Sequence, residues 1–237
     1  MKEIFPIGAD LNEGAVLNID KPLRWTSTDV VRKIKFMLRK CGYRNIKVGH
    51  AGTLDPLATG VLLVCIGRAT KRVDALQAEV KEYVTDIQLG ATTPSFDLEH
   101  PIDRTYPYEH ITREMVEQAL QELCGERLQT PPVYSAKKID GQRAYEYARE
   151  GAEVTLRQSL IQIYAMEILE YDLPRVRVHI RCSKGTYIRS IACELGEKLG
   201  CGAHLTSLRR TRSGDFRVED SVSLDEVVEN LCQMKQN

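Results

Sequence analysis

The sequence predicts an α+β fold. Strand and helix patterns alternate irregularly along the 237 residues, without the repeated strand–helix–strand spacing of a doubly wound sheet. The chain has no internal repeat and no linker long enough to separate domains, and its length allows a substantial core. We therefore expect a single domain over residues 1–237.

The strand predictions rest on alternating apolar side chains. Residues 14–20 fit a short first strand, and Glu82–Gly90 alternates apolar or aromatic positions with polar ones. Arg175–Cys182 gives the clearest alternation, with valine, isoleucine and cysteine on one face. The apolar run at 61–66 predicts a buried strand, which follows directly on a glycine-rich loop at 49–60.

The helix predictions rest on apolar positions three and four residues apart, with capping residues at the ends. The first helix follows the sequence TSTD, has its apolar face at Val30–Leu38 and ends at Gly42. Thr112 is placed to begin a second helix. In the last helix Ser223 and Glu226 are spaced as a capping box.

Composition excludes several classes of protein. No apolar run approaches the ~20 residues that cross a bilayer, and the N-terminus lacks the apolar stretch of an export signal, so we expect a cytoplasmic protein. The seven cysteines form no CxxC pair and the five histidines are scattered, which predicts neither a disulfide framework nor a metal site. Motifs for P-loop, dinucleotide, serine-hydrolase and zinc-protease sites are absent.

Charge is balanced in total but unevenly distributed. The chain has 33 basic and 33 acidic residues, yet seven basic and no acidic residues lie between Asp29 and Asp55. Three further arginines, Arg209, Arg210 and Arg212, lie near the C-terminus. Such clusters can neutralise nucleic-acid phosphates, although a solvated helix surface explains the first of them equally well.

Residues 49–71, GHAGTLDPLATGVLLVCIGRATK, resemble the catalytic motif of the TruB family of tRNA pseudouridine synthases. Further blocks that resemble the family follow its order: DKP…TS at 20–27, KEYVTDIQLG at 81–90, TPSFD at 93–97, PPVYSAKKIDGQRAYEYAREG at 131–151, CSKGTYIRSIACELGEKLG at 182–200 and AHLTSLRRTRSGDF at 203–216. The resemblance implies the pseudouridine synthase fold, in which a mixed, mainly antiparallel central sheet is flanked by helices and loops. It also implies an isomerase that converts uridine 55 in the T-loop of tRNA to pseudouridine. It further implies that the base is flipped out of the RNA and that no cofactor is needed.

The resemblance implies three catalytic residues. Asp55 matches the family's nucleophile; the structural alternative is a loop acid that caps the turn before Pro56. A carboxylate in a pocket closed to water needs a fixed cation to stay ionised, and Arg189 matches the arginine that pairs with the nucleophile. Tyr83 matches the tyrosine that stacks on the target base, and is otherwise a core side chain of its strand.

The resemblance also implies two groups of substrate-binding residues, one around the target nucleotide and one along the RNA backbone. Each group has a purely structural alternative. His50 matches a histidine that helps to hold the flipped-out RNA. Lys21 is expected to order the loop around Asp55 or to contact phosphate, and Leu205 and Leu208 to wall the uracil pocket. Candidates for contact with the RNA backbone are Arg32, Lys33, Lys35, Lys137, Lys138, Arg209 and Arg210.

Residues 129–151 resemble an element inserted into the family's fold that closes over the T-loop, a role that suits a polar segment that orders on RNA binding. Arg24 stands where family members usually have glycine, so we expect a different turn before the first helix. Larger bacterial relatives continue into an RNA-binding PUA domain, which we do not expect here because the sequence ends at Asn237. The expected partner is therefore the T-arm of tRNA, bound by a monomer without metal or membrane contact.

Two other functions are compatible with the sequence. In the first, the chain acts mainly as an RNA-binding factor that helps tRNA to fold, and catalysis is secondary. In the second, it is a carboxylate- or metal-dependent hydrolase of nucleosides, which would release free uracil. The complete catalytic motif favours the isomerase over both.

Overall fold

The computed structural model describes residues 4–5, 10–135, 138–139, 142–143 and 156–234. They form an α+β structure with a mixed sheet, as the sequence predicts. The chain groups into two compact units, Met1–Glu82 with Arg209–Asn237 (unit 1) and Tyr83–Leu208 (unit 2). The single domain expected over residues 1–237 stays a prediction.

The elements are, in chain order, β1 (Ala15–Lys21), α1 (Ser27–Lys40), β2 (Val48–Ala51), β3 (Ala58–Ile66), α2 (Val73–Ala78), β4 (Lys81–Leu89), β5 (Ala91–Thr92), β6 (Arg104–Thr105), α3 (Arg113–Leu123), β7 (Gly125–Gln129), β8 (Lys138–Ile139), β9 (Gln142–Arg143), β10 (Ser159–Asp172), β11 (Arg175–Cys182), α4 (Ile188–Leu199), β12 (Ala203–Ser213), β13 (Phe216–Arg217), β14 (Val222–Ser223) and α5 (Leu224–Met234). Among the described residues there are also two 3-10 turns, at Gly67–Arg72 and Val218–Asp220.

Unit 1 is built around strand β3. Every residue of β1 pairs with β3 in antiparallel register, from Ala15 opposite Ile66 to Lys21 opposite Gly60, and β1 pairs in parallel with β14. The other edge of β3 carries β2, again antiparallel. The side chains of Val61–Ile66 are fully buried, which is why this run contains no polar residue. Helix α1 contacts β2 and α5.

Unit 2 contains strands β4, β11, β10 and β7 as successive neighbours in a sheet. Strand β10 pairs in antiparallel register with both β11 and β7. Helix α3 contacts α4 and β10. The alternation predicted for residues 175–182 is confirmed, since every second side chain from Val176 to Cys182 is fully buried.

The predicted helix caps are confirmed, although α1 begins at Ser27, inside the TSTD sequence rather than after it. Thr26 is the N-cap of α1, where its side chain accepts a hydrogen bond from the Asp29 backbone and the Asp29 carboxylate accepts one from the Thr26 backbone. Gly42 follows the end of α1 with φ +96°, a conformation that costs glycine nothing. Ser223 and Glu226 exchange the two hydrogen bonds of a capping box at the start of α5.

The loop predicted at residues 49–60 is wrong at both ends. Residues Val48–Ala51 form β2, and β3 begins at Ala58 rather than Val61. The glycines in this stretch obscure the strand pattern, because a glycine adds no apolar side chain to the alternation. The loop that contains Asp55 is therefore only six residues long, 52–57, and we call it the Asp55 loop.

The sequence predicts that Arg24, in place of glycine, changes the turn before α1, and this prediction is wrong. Arg24 has φ +65°, the left-handed region in which a residue with a Cβ atom is disfavoured by roughly 1–2 kcal/mol. The arginine thus adopts the backbone that glycine favours instead of forcing another turn. Its backbone N–H donates to the carbonyl of Pro56 at 2.8 Å, so this conformation supports the Asp55 loop.

Two glycines with the same backbone angle provide a matched test of close packing in unit 1. Gly60 and Gly42 both have φ +96°, but a Cβ atom on Gly60 would lie 2.1 Å from the carbonyl oxygen of Arg210, whereas one on Gly42 meets nothing within 4 Å. We expect Gly42→Ala to lower the free energy of unfolding by roughly 1–2 kcal/mol, the cost of the left-handed conformation. Gly60→Ala should cost roughly 1–3 kcal/mol more because of the overlap, as measured by urea denaturation. Equal costs would contradict the close approach of β3 and β12.

Candidate functional site

The Asp55 loop is fixed by hydrogen bonds at both its ends and its middle. The buried hydroxyl of Ser27 donates to the carbonyl of Leu54 at 3.0 Å and accepts from its N–H at 2.8 Å. The Arg210 guanidinium donates to the carbonyl of Gly52 at 3.0 Å, and the carbonyl of Asp55 accepts from the Ala58 N–H at 3.1 Å. Asp55 itself is half-buried. Its position is therefore set by the backbone of the loop.

Lys21 joins this loop to the turn before α1. Its ammonium group is fully buried and donates to the carbonyls of Pro22 at 2.8 Å, Trp25 at 2.5 Å and Pro56 at 3.4 Å. Of the two roles that the sequence allowed, ordering of the Asp55 loop fits this geometry. A contact with phosphate is excluded because the side chain does not reach the surface.

Burial and charge shape the electrostatics around the loop. Burial is the main reason why the pKa of Lys21 falls from 10.5 to about 8. The negative charge of Asp55 partly offsets this decrease, and the positive charge of Arg210 adds to it. Burial also lowers the pKa of His50, and the Arg210 guanidinium acts in the same direction. His50, on β2, is half-buried, and both effects favour the neutral form of its imidazole.

Arg209 and Arg210 are not equivalent, although the sequence places both against RNA phosphate. Arg210 is 1% exposed and donates to the carbonyls of Val61 at 2.7 Å and Gly52 at 3.0 Å. The phosphate contact is therefore wrong for Arg210, because its donors hold the backbone of unit 1. Arg209 is half-exposed and forms a bidentate pair with Asp20, at 2.7 and 3.1 Å.

The other basic candidates lie partly at the surface. Arg32 is exposed on α1, 3.5 Å from the Asp29 carboxylate. Lys33 and Lys35, on the same helix, are half-exposed, so their contact with RNA stays a prediction. Lys137 and the side chain of Lys138 lie outside the described residues, as does much of the inserted element predicted at 129–151.

In unit 2, Arg189 lies in the first turn of α4 and is 3% exposed. Its guanidinium donates to the carbonyls of Ser95 at 3.1 Å and Tyr134 at 2.9 Å, and its Nε lies 3.7 Å from the Asp97 carboxylate. A buried guanidinium held in this way is fixed in orientation. The sequence did not identify these three partners, although Ser95 and Asp97 lie in the TPSFD block; the pairing with Asp55 stays a prediction.

Tyr83, Leu205 and Leu208 also belong to unit 2. Tyr83 is 8% exposed on β4 and Leu205 is 2% exposed on β12, whereas Leu208 is half-buried. The backbone N–H of Leu205 donates to the carbonyl of Phe96 at 2.9 Å, and Phe96 has φ +63°. The chain around residue 96 is thus tied to β12 on one side and to Arg189 on the other.

A cluster around Asp86 was missed by the sequence analysis. Arg177 donates to both oxygens of this carboxylate at 2.8 and 3.1 Å, Ser207 donates at 2.7 Å, and Arg175 lies 3.7 Å away. The hydrogen bond from Arg177 holds the pKa of Asp86 below its usual range, and that from Ser207 adds to it. The sequence signal for this cluster is the polar face of β11, where arginines alternate with buried apolar residues. That face lies beside the polar positions of the neighbouring strand β4. The cluster fixes β12 next to Leu208.

The described parts of the chain include all seven cysteines and all five histidines. All seven cysteines are free thiols. Within those parts, no three His, Cys, Asp or Glu side chains are grouped so that they could hold a metal ion. No helix there combines the length and the apolar character needed to cross a membrane.

Comparison with protein families identifies two adjoining matches. Residues 39–188 match the profile described as TruB family pseudouridylate synthase (N terminal domain), and residues 189–237 match the tRNA pseudouridylate synthase B C-terminal domain. Together they cover most of the chain, including Asp55 and Arg189.

Curated relatives and solved structures agree with these profiles. The tRNA pseudouridine synthase B of Phocaeicola vulgatus is 56% identical over 227 residues, which are 95% of this chain and 97% of that protein. The protein of the same name from Flavobacterium johnsoniae is 46% identical, over 92% and 96% of the two chains. A chain in the crystal structure of a Cbf5-Nop10-Gar1 complex superposes with a TM-score of 0.72 and 33% identity; the match covers 95% of this chain but only 56% of that one.

Removing the Lys21 ammonium group tests its role in unit 1. We expect Lys21→Met to lower the free energy of unfolding by about 2–3 kcal/mol at pH 7, because buried carbonyls lose their donor, whereas the control Lys71→Met, at an exposed position, should change it by less than about 0.5 kcal/mol.

The stability should also depend on pH. Since the pKa of Lys21 is depressed on folding, the unfolded chain binds more protons between about pH 8 and 10.5. The wild type therefore gains stability over that range, and its advantage over Lys21→Met should widen in urea denaturation as the pH rises from 8 to 10. A constant advantage would contradict the burial of a titrating ammonium group.

Proposed function

The chain belongs to the TruB family of pseudouridylate synthases, and from this we propose that it isomerises uridine 55 in the T-loop of tRNA to pseudouridine with Asp55 as the nucleophile. Membership makes it an isomerase that forms pseudouridine in tRNA. The position of the uridine and the role of each residue are our proposal. The observation that carries it is the fixed Asp55 loop inside the complete family motif.

The reaction breaks the N1–C1′ bond of the uridine, turns the uracil and joins C5 to C1′, while C5 loses its proton and N1 gains one. A carboxylate serves this chemistry by attack on the sugar or the base, or by removing a proton next to C1′. In each case it acts from a site closed to water. Atoms and electrons balance within the substrate, so we propose that no cofactor or metal takes part.

Arg189 and Tyr83 are proposed to assist Asp55. Arg189 is buried and its orientation is set by two carbonyls, which suits a guanidinium that keeps a neighbouring carboxylate ionised. Tyr83 supplies an aromatic face for a uracil that has lost its stacking partners in the RNA. Leu205 and Leu208 are proposed to wall the pocket for the base.

RNA binding is proposed for the surface cations. Arg32, Lys33 and Lys35 share a helix without acidic residues after Asp29, and Arg209 is half-exposed, so these four are available for phosphate contacts. His50 is proposed to hold the flipped-out loop. We further propose a monomeric, cytoplasmic enzyme that binds the T-arm.

Asp55→Asn tests the catalytic proposal. We expect it to reduce pseudouridine formation by at least about 10³-fold, because an amide is not a nucleophile, while affinity for tRNA stays within a few-fold. Pseudouridine is mapped in an unmodified tRNA transcript incubated with purified protein, and Asp74→Asn, at an exposed position of α2, is the matched control. An unchanged yield refutes the nucleophile.

The same assay separates the rival functions and the substrate. Pseudouridine at position 55 without free uracil supports the isomerase, whereas free uracil indicates a hydrolase. Activity on a T-arm minihelix equal to that on whole tRNA supports recognition of the T-arm. Strong tRNA binding without any pseudouridine indicates an RNA-folding factor.

Arg189→Lys tests the guanidinium. A lysine at this position cannot donate to the carbonyls of Ser95 and Tyr134 and to a carboxylate in the same planar arrangement. We expect kcat to fall by at least about tenfold with tRNA affinity within a few-fold. By contrast Arg175→Lys, at a half-exposed position of the Asp86 cluster, should leave kcat within about twofold. A normal kcat for Arg189→Lys would show that the planar group is dispensable.

A further inference from the structure

Three consecutive side chains in unit 1 are exposed in the turn between β1 and α1. Leu23 is 55% exposed and Trp25 is 36% exposed, and Arg24 between them is also exposed. Trp25 is the only tryptophan of the chain. Single exposed apolar residues are common on protein surfaces, but here two large ones flank a cation within one turn. We call these residues the 23–25 turn.

The backbone of the 23–25 turn is held from both sides. Arg24 adopts φ +65° and donates its N–H to Pro56, and the buried ammonium group of Lys21 donates to the carbonyl of Trp25. The capping box of Thr26 and Asp29 fixes the residues that follow. A non-glycine residue in this conformation persists only where its surroundings impose it, and such residues cluster at functional sites. The exposed side chains are thus presented from a rigid backbone.

The 23–25 turn lies beside Asp55 within unit 1. The N–H of Arg24 is 2.8 Å from the carbonyl oxygen of Pro56, the residue after Asp55, so the Cα atoms of Arg24 and Asp55 are within about 10 Å. A substrate strand that brings a nucleotide to Asp55 would pass next to the 23–25 turn. The sequence from Val30 to Leu54 carries seven basic and no acidic residues, which favours a polyanion as the occupant.

We propose that the 23–25 turn is a contact site for the RNA substrate, in which the indole of Trp25 stacks on an unstacked nucleobase that flanks the target uridine and the Arg24 guanidinium binds an adjacent phosphate. Aromatic rings stack on any base whose own neighbours have been lost, and a flipped-out uridine leaves such a base next to it. Leu23 extends the apolar surface of the turn. The inference rests on the proposed function and adds a substrate-binding site to it.

Because Trp25 is the only tryptophan, its fluorescence reports directly on the turn. The full-length Asp55→Asn protein, which binds without turnover, is titrated with unmodified tRNA. We expect saturable quenching of the indole emission, with a midpoint equal to the dissociation constant measured by filter binding. Saturated binding without any change in emission would overturn the stacking contact.

Kinetics with folded variants test the energetic weight of the contact. We expect Trp25→Ala to raise KM for tRNA about tenfold, the equivalent of ~1.4 kcal/mol, with kcat within about twofold, and Trp25→Phe to recover most of the loss. Phe36→Ala is the matched control, because Phe36 is an exposed aromatic residue of the same unit whose ring is already covered by Lys40 at 4.5 Å; its KM should not change. An unchanged KM for Trp25→Ala, while the wild type forms pseudouridine, overturns the inference and leaves the proposed function standing.

Two variants of Arg24 separate the cation from the backbone conformation. Glycine retains the left-handed conformation without strain, and alanine retains the strain; both remove the guanidinium. We expect both to reduce the dependence of log KM on log salt concentration by about one unit, as for one lost phosphate contact. A salt dependence equal to that of the wild type would overturn the phosphate contact. If Trp25→Ala does not fold, the fluorescence titration decides the stacking contact.

Discussion

The Asp55 loop depends on one buried ammonium group, that of Lys21. Three carbonyls, from Pro22, Trp25 and Pro56, converge on it, and no solvent is available to replace them because the side chain is fully buried. Burial of a cation is unfavourable unless donors and acceptors are matched. This interaction therefore ties two turns, far apart in sequence, to a single geometry, and the position of Asp55 follows from it.

Buried cations bound to backbone carbonyls recur in both units. In unit 1, Arg210 binds the carbonyls of Val61 and Gly52, and the Lys81 ammonium group binds three carbonyls at the end of α2. In unit 2, Arg189 binds those of Ser95 and Tyr134. Loops contain carbonyls that no helix or strand satisfies, and a long cationic side chain can reach several at once. The 33 basic residues of the chain thus include several that are buried and bind backbone carbonyls.

This use of cations explains what the sequence could and could not predict. Strands β4 and β11 and the caps of α1 and α5 follow from local patterns, and these were confirmed. The family motif identified the loop of Asp55. A local pattern does not reveal burial. It predicts the same contact with RNA for Arg209 and Arg210, but Arg209 is half-exposed and Arg210 is buried. Partners distant in sequence, such as Asp86 with Ser207 or Arg189 with Ser95, depend on the tertiary structure alone.

Ser27 links the formation of helix α1 to the fixed conformation of the Asp55 loop. Its hydroxyl both donates to and accepts from the backbone of Leu54, 27 residues later, and Ser27 is also the first residue of α1. A chain in which the first turn of α1 has not formed therefore lacks the two hydrogen bonds that hold the middle of the Asp55 loop, even if β3 is already paired. Local opening of that turn releases the Leu54 amide to solvent, so hydrogen exchange at this one amide reports how often the loop loses its shape in the native protein.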